Sequence, residues 1–173
     1  MKHLKIFEEY SKYQFKKSSK TYEFDDFNGN IYKVVFHGPH EDIDDDIQSG
    51  ITYDLDFFTQ EKDYKKLTNA GVPFTVSSFI FNDILTDFIN NNKVDTISIF
   101  PTEPNEGVKR FDKKQFTKYE LYLRSLKNNF KLPGWKIIPI EREKFGELEK
   151  SIIVINFESE FWKNNINNLD KKI

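Results

Sequence analysis

The chain has 173 residues, a formal net charge of −2 and no cysteine. This length suits a single domain over residues 1–173 with a core of its own, and the missing cysteines exclude disulfides, cysteine zinc sites and a thiol nucleophile. The near-neutral charge argues against a nucleic-acid partner. Because no apolar run approaches the roughly 20 residues of a membrane-spanning helix, we also expect no membrane partner.

The first predicted element is an amphipathic helix within residues 1–18. In HLKIFEEYSKYQFKK, Leu4, Phe7 and Tyr10 recur at helical spacing and give the helix an apolar side. Because an apolar helix side can dock on another protein, these three residues are candidate partner-binding residues.

Strands are predicted next, in the segment that begins at residue 19. TYEFDDFNGNIYKVVFH predicts a hairpin in which Asn28-Gly29 supplies the positive φ angles of a tight turn. GPHEDIDDDIQSG is predicted to be a polar loop. In ITYDLDFF, apolar and polar residues alternate, which predicts a half-buried strand with Asp54 and Asp56 together on its polar face. Two close carboxylates can divide acid and base roles between them.

Helices and strands then alternate as far as residue 158. Apolar residues at every fourth position predict a helix over about residues 75–91. The strand VDTISIF, a second helix over about residues 113–130, and the strands WKIIPI and SIIVINF follow. The tail over residues 159–173 allows one short helix.

These elements predict an α+β fold. We expect a mixed, mostly antiparallel twisted sheet of about six strands with helices on its faces, in the order α-β-β-β-α-β-α-β-β. The strand-helix-strand unit around residues 51–100 is expected to form a right-handed parallel crossover.

This order resembles the GNAT fold of the Gcn5-related N-acetyltransferases over about residues 3–157. Two segments, KLTNAGVPFT and YELYLRSLKNNFKLPGW, stand where that family has its phosphate loop and its fourth helix. In the family, acetyl-CoA lies in a gap between two strands, and backbone N–H groups of a Q/R-x-x-G-x-G/A loop hold its pyrophosphate. The resemblance implies cofactor binding at Asn69, Ala70 and Gly71.

The same resemblance implies catalytic roles for three residues. Tyr122 stands where the family has a general acid, and Asp54 or Asp56 would steer an amine. The alternative for Tyr122 is a tyrosine that packs beside the apolar stripe of its helix with its hydroxyl at the surface.

The phosphate-loop segment departs from the family pattern. Of the motif only Gly71 is present, no Arg or Gln stands at its first position, and Pro73 removes an N–H donor. We therefore expect the junction to turn the chain and no cofactor to be bound, with acetyl-CoA as the alternative.

The chain is also similar to small uncharacterised proteins of tailed bacteriophages. The likeness is carried by residues 1–10, the junction at residues 68–76, Arg110, and the LY-x-R pattern of Leu121 to Arg124. It implies a phage accessory or virion-associated protein, located in the virion or the host cytoplasm. We therefore expect a non-catalytic binding or structural module whose partner is a phage structural protein or a host protein. The alternatives are an acetyl-CoA-dependent N-acyltransferase and an anti-defence or host-regulatory protein.

Three smaller clusters complete the candidate sites. EDIDDD at residues 41–46 lacks the spacing of a calcium loop, so it is predicted to be a solvated acidic loop. His37 and His40 could join Asp42 or Asp44 around a metal, but histidines beside turns are common and no metal site is predicted. Lys109 and Arg110, in a basic cluster, are further candidate partner-binding residues.

Overall fold

A computed structural model describes residues 13–44, 47–59, 74–101, 118–144 and 147–169. The strands are β1 (Phe15–Ser18), β2 (Thr21–Asp25), β3 (Ile31–Asp44), β4 (Ile47–Thr59), β5 (Thr96–Ile99), β6 (Trp135–Lys144) and β7 (Glu147–Asn156). The helices are α1 (Phe74–Phe79), α2 (Leu85–Asn91), α3 (Lys118–Asn129) and α4 (Glu160–Leu169). A π-helical turn, Ile80–Ile84, joins α1 to α2, and both residues that flank it have right-handed helical φ and ψ angles. Residues 74–91 therefore form one continuous helix, called the central helix below.

The strands form one mixed seven-stranded sheet in the order β1-β2-β3-β4-β5-β7-β6. Strands β1 to β4 pair antiparallel in sequence, β4 and β5 pair parallel, and β7 pairs antiparallel with both β5 and β6. The predicted α+β class is thus confirmed. The predicted parallel pairing of the strands that precede and follow the central helix in the chain, β4 and β5, is confirmed as well. In the parts of the chain that the structure describes, no helix is both long and apolar enough to cross a membrane.

Strand β1 is the strand that the sequence interpretation missed. The N-terminal helix was expected to reach residue 18, whereas Phe15–Ser18 pairs with β2. Tyr13 and Phe15, two residues apart, both pack on the core, as period-two alternation requires, and the ring of Phe15 lies 5.2 Å from that of Tyr22. Leu4, Phe7 and Tyr10 lie outside the described residues.

Two segments predicted to be polar connections are instead mostly strand. Pairs such as Asp42 with Gln48 carry the β3–β4 ladder through the predicted polar loop, so the expectation of a loop at residues 38–50 is wrong. The charged segment between WKIIPI and SIIVINF likewise pairs from Glu141 with Lys150 to Lys144 with Glu147. The ladder bonds are main-chain bonds, and they form wherever two neighbouring strands stay in register, whatever the polarity of the side chains.

The predicted β2–β3 hairpin is confirmed, but its turn is held differently from the expectation. Of the two turn residues Asn28 and Gly29, only Gly29 has a positive φ angle, of 78°. The Asp26 carboxylate organises the loop, because its Oδ1 accepts hydrogen bonds from the backbone N–H of Asn28 at 2.8 Å and of Asn30 at 2.9 Å. An Asp side chain that bonds the backbone two residues on is a common way to close a turn.

The two faces of the sheet have separate apolar cores. The central helix and α3 pack on one face, where aromatic rings dominate and Phe36 stacks on Phe88 with ring centres 3.7 Å apart. Helix α4 packs on the other face, where Trp162 is 1 % exposed and joins a smaller cluster with Ile153 and Ile155. Each fully buried large side chain contributes about 2 kcal/mol to the free energy of unfolding.

Candidate functional site

The candidate site lies on β4, where its pairing with β5 ends. The parallel pairing runs from Thr52 with Thr96 to Asp54 with Ser98. Strand β4 continues to Thr59, and within the described residues no pairing with β5 is found beyond Asp54. This part of β4 therefore continues past the last residue that is paired with β5.

Tyr122 reaches this part of β4 from α3. Its ring is half-buried, with its centre 4.9 Å from that of Phe57 and 5.9 Å from that of Phe81 in the central helix. The ring thus belongs to the aromatic core on the helix-covered face of the sheet. This packing agrees with the interpretation of Tyr122 as part of the apolar stripe of its helix.

Asp54 and Asp56 lie on the opposite face of β4, and each lies within ion-pair distance of a histidine of β3. Asp54 Oδ2 is 3.3 Å from His40 Nε2, and Asp56 Oδ2 is 3.3 Å from His37 Nε2. The predicted shared face of the two aspartates is therefore confirmed. Both pairs are substantially exposed, so each contributes little to stability by itself.

A bulge in β3 brings the two histidines to the same face. His37 is opposite Asp54 and His40 is opposite Thr52, so two residues of β3 face one residue of β4 between these pairs. Residues three apart in a regular strand point to opposite faces, and the extra residue of a bulge restores a common side. His40 was predicted to lie in a polar loop, and this placement is wrong because it belongs to β3.

The Asp54 carboxyl has a raised pKa. Burial raises it, the pairing with His40 opposes the rise, and the neighbouring Asp56 carboxylate adds to it. Ser98 of β5 also favours the charged form, although no hydrogen bond of ordinary geometry reaches its hydroxyl in the described part of the chain. Sequence patterns gave no sign of Ser98, since its position beside Asp54 depends on the β4–β5 register.

A metal site at this cluster is not found. Within the five described ranges, no group of three or more His, Asp or Glu side chains has an arrangement that could hold a metal ion. The side chains of Asp42 and Asp44 fall outside the description.

The structure unites two of the three predicted catalytic residues and separates the third. Asp54 and Asp56 share one face of β4, while Tyr122 contacts Phe57, whose side chain points to the other face. The predicted cofactor loop of Asn69, Ala70 and Gly71 lies outside the described residues, and so do Lys109 and Arg110.

The other end of the parallel pair is held by Asp95, just before β5. The Asp95 N–H donates to the Ile51 carbonyl at 2.9 Å, and Asp95 Oδ2 accepts from the Ile51 N–H at 2.8 Å. The Asp95 carbonyl accepts from the Asn156 N–H at 2.9 Å and from the Trp162 indole N–H at 3.2 Å. One residue thus bonds β4, β7 and α4 together at this end of the sheet.

Comparison of the chain with models of protein families, with curated proteins and with solved structures finds no match.

Proposed function

We propose that this chain is a GNAT-like domain that acts as a non-catalytic binding or structural module of a tailed bacteriophage. The fold part of the proposal is supported by the sheet order, in which one parallel pair beside the central helix is flanked by antiparallel strands. The phage part is supported by the sequence resemblance of residues 68–76 and of the LY-x-R pattern. The partner is a phage structural protein or a host protein, in the virion or the host cytoplasm.

The observation that carries the non-catalytic assignment is the separation of Tyr122 from Asp54 and Asp56 across β4. Acyl transfer to an amine needs a base near the amine and an acid near the departing thiolate, both within hydrogen-bond reach of one substrate pair. Here the carboxylates are paired with His37 and His40 on one face, and the tyrosine packs against rings on the other.

A thermal-shift titration with acetyl-CoA and with CoA tests this proposal. A ligand at 100 times its dissociation constant stabilises the folded state by about 2.7 kcal/mol, which a melting curve detects easily. We expect no shift at millimolar concentration of either compound and no thioester consumption across a panel of amines. Stabilisation by micromolar CoA would overturn the non-catalytic assignment. Mass spectrometry of purified particles tests the virion location separately.

An acetyl-CoA-dependent N-acyltransferase is the second candidate. It is favoured by one observation, the continuation of β4 beyond its pairing with β5 at the place where Tyr122 approaches Phe57. In this reading, Asn69, Ala70 and Gly71 hold the pyrophosphate and Tyr122 protonates the departing thiolate.

The substitution Tyr122→Phe separates the two candidates, because it retains the ring that packs on Phe57 and Phe81 and removes only the hydroxyl. An acyltransferase should lose a factor of about 10²–10⁴ in turnover when its general acid is removed. Tyr119→Phe on the same helix is the matched control and should leave turnover unchanged. Absence of thioester turnover in the unaltered protein argues against this candidate.

A further inference from the structure

A groove opens at the end of the sheet where β5 begins, away from the β4 site. It encloses about 800 Å³ between the end of the central helix, the loop that leads to β5, the turn before β6 and the junction of β7 with α4. A volume of this size is typical of ligand sites. The bonds of Asp95 to Ile51, Asn156 and Trp162 hold the surrounding segments together, so the walls of the groove are anchored by the fold.

A second hollow of about 480 Å³ adjoins this groove along the central helix and begins at the π-helical turn with Asn82. The two hollows share Asn90, Leu132 and Pro133 as lining residues. From Asn82 to Asn92 the helix axis runs for about 15 Å at 1.5 Å per residue. That length matches about five residues of extended peptide at about 3.3 Å each, so the combined groove suits an elongated ligand.

Asparagine amides dominate the polar lining of the larger hollow. Asn92 and Asn165 each donate one Nδ2 hydrogen bond to a helix carbonyl, of Phe88 and Phe161 respectively, both at 2.8 Å. Each of these amides is thus oriented by the fold, and its oxygen and second N–H form no hydrogen bond with other described residues. Asn90 and Asn164 are exposed, and their side chains form no hydrogen bond with other described residues. A carboxamide has one acceptor and one donor in a plane and therefore complements a peptide group.

The remaining lining favours a chain with aliphatic side chains and without acidic groups. Across both hollows, two lysines, Lys93 and Lys131, stand against the four carboxylates of Asp83, Asp87, Asp95 and Glu160, so the lining carries a net negative charge. Ile89 and Leu132 supply apolar wall that suits aliphatic side chains. A phosphate-rich ligand would need a cationic wall, and this acidic lining offers none.

We propose that the groove along the central helix, from Asn82 to Asn165, binds an extended peptide segment of a protein partner, and that this segment lacks acidic side chains. The inference rests on the proposed function only in taking the ligand to be part of a partner protein. Asparagine amides hydrogen-bond the peptide main chain, and the aliphatic wall receives its apolar side chains.

Selection from a random linear heptapeptide library on the immobilised full chain tests the proposal. Enriched peptides are synthesised, and their dissociation constants are measured by fluorescence anisotropy. The double variant Asn90→Ala/Asn164→Ala should weaken binding about tenfold, since it removes two hydrogen-bonding side chains. Asn90→Trp, which fills the groove, should abolish it. Asn128→Ala, an exposed asparagine of α3 outside the lining, is the matched control and should bind as the unaltered chain does.

The outcomes separate this inference from the proposed function. Peptides that bind both Asn90 variants as well as the unaltered chain would overturn the groove as their site and leave a protein-binding module intact. Failure to enrich any peptide, or displacement of the enriched peptides by neutral oligosaccharides, would overturn the peptide assignment. Thioester turnover by the chain would overturn the non-catalytic function and leave the peptide measurements valid. Matching melting temperatures of the variants establish that each is folded.

Discussion

The parallel pair β4–β5 has additional hydrogen bonds through Asp95 at one end, and its strand pairing simply stops at the other. At the first end, Asp95 exchanges two hydrogen bonds with Ile51, and its carbonyl accepts from the Trp162 indole. At the second end, the pairing stops after Asp54 and Ser98, and the buried Ser98 hydroxyl forms no hydrogen bond with other described residues.

This difference distinguishes an end of the pair that serves stability from an end whose side chains could take part in chemistry. Buried polar groups in native proteins are almost always hydrogen-bonded, and the Asp95 end follows that rule. At the other end lie a carboxyl of raised pKa at Asp54 and a Ser98 hydroxyl that has no hydrogen bond of ordinary geometry with other described residues. Departures of this kind cluster at functional sites, so most of the predictions below test one end of the pair or the other.

The largest effect is expected from Gly50→Ala, beside Asp95. Gly50 has a φ of 68°, and an added Cβ would lie 2.6 Å from Asp95 Oδ2 and 2.8 Å from Phe161 Cγ. Backbone strain and overpacking together should lower the free energy of unfolding by about 3 kcal/mol. Gly29→Ala is the control, because Gly29 has a φ of 78° and open space around it, and it should lose about 1 kcal/mol. Urea unfolding measures both, and equal losses would mean that the Asp95 end is not tightly packed.

The next effect is expected from Trp162→Phe. The substitution removes the indole N–H that bonds the Asp95 carbonyl and Thr96 Oγ1 at 3.2 and 3.0 Å, and it leaves a small cavity. We expect a loss of about 2 kcal/mol. Trp135→Phe is the control, since Trp135 is only half-buried and its indole bonds no other described residue, and it should lose about 1 kcal/mol. Thermal and urea unfolding compare them, and a larger loss for Trp135 contradicts the prediction.

Smaller changes in the free energy of unfolding, of opposite sign, are expected when the two hydroxyls of β5, at Thr96 and Ser98, are removed. Thr96 accepts the Trp162 bond, so Thr96→Val should lose about 1 kcal/mol. Ser98→Ala removes a buried hydroxyl that has no hydrogen bond of ordinary geometry with the residues that the structure describes, and it should be neutral or stabilise the fold by about 0.5 kcal/mol. The shift in urea midpoint decides the sign, and a clear loss in Ser98→Ala would show that this hydroxyl is bonded in solution.

The smallest effect is a pH dependence at Asp54. Because burial raises its folded pKa above that of the unfolded chain, the folded state binds more protons between the two values. The free energy of unfolding contributed by this group therefore falls as the pH rises from about 3.9 through the raised pKa, and stays lower above it. Asp54→Asn should match the unaltered chain at pH 3 and exceed it slightly at pH 7.

Asp87→Asn supplies the opposite sign. Burial also raises the pKa of Asp87, but hydrogen bonds from Lys17 and Tyr22 outweigh that effect and lower the pKa overall. Its stabilising contribution is present above the unfolded pKa and is lost as the pH falls through the folded value. Asp87→Asn should therefore be less stable than the unaltered chain at pH 7, and the difference should shrink towards pH 3. Parallel pH profiles of the two variants would contradict both assignments.

Much of the fold could be predicted because side-chain periodicity is local. Apolar residues at every fourth position of the central helix, and the alternation of apolar and polar residues in β4, each show which residues face the core. Strand β1 and the outer parts of β3 and β4 could not be predicted in this way, because main-chain pairing with a neighbour creates them. The candidate site divides similarly. The common face of Asp54 and Asp56 follows from a period of two, whereas their histidine partners depend on the bulge between His37 and His40.

The amino-acid pattern alone determined the α+β class, the parallel unit around the central helix and the polar face of β4, since each depends on spacing within one segment. Tertiary structure alone decided that Tyr122 packs on the opposite face from Asp54, that Asp95 bonds three elements, and that asparagines of the central helix, the loop before β5 and the β7–α4 junction line one groove. These features join residues distant in the chain, and sheet register and packing bring such residues together.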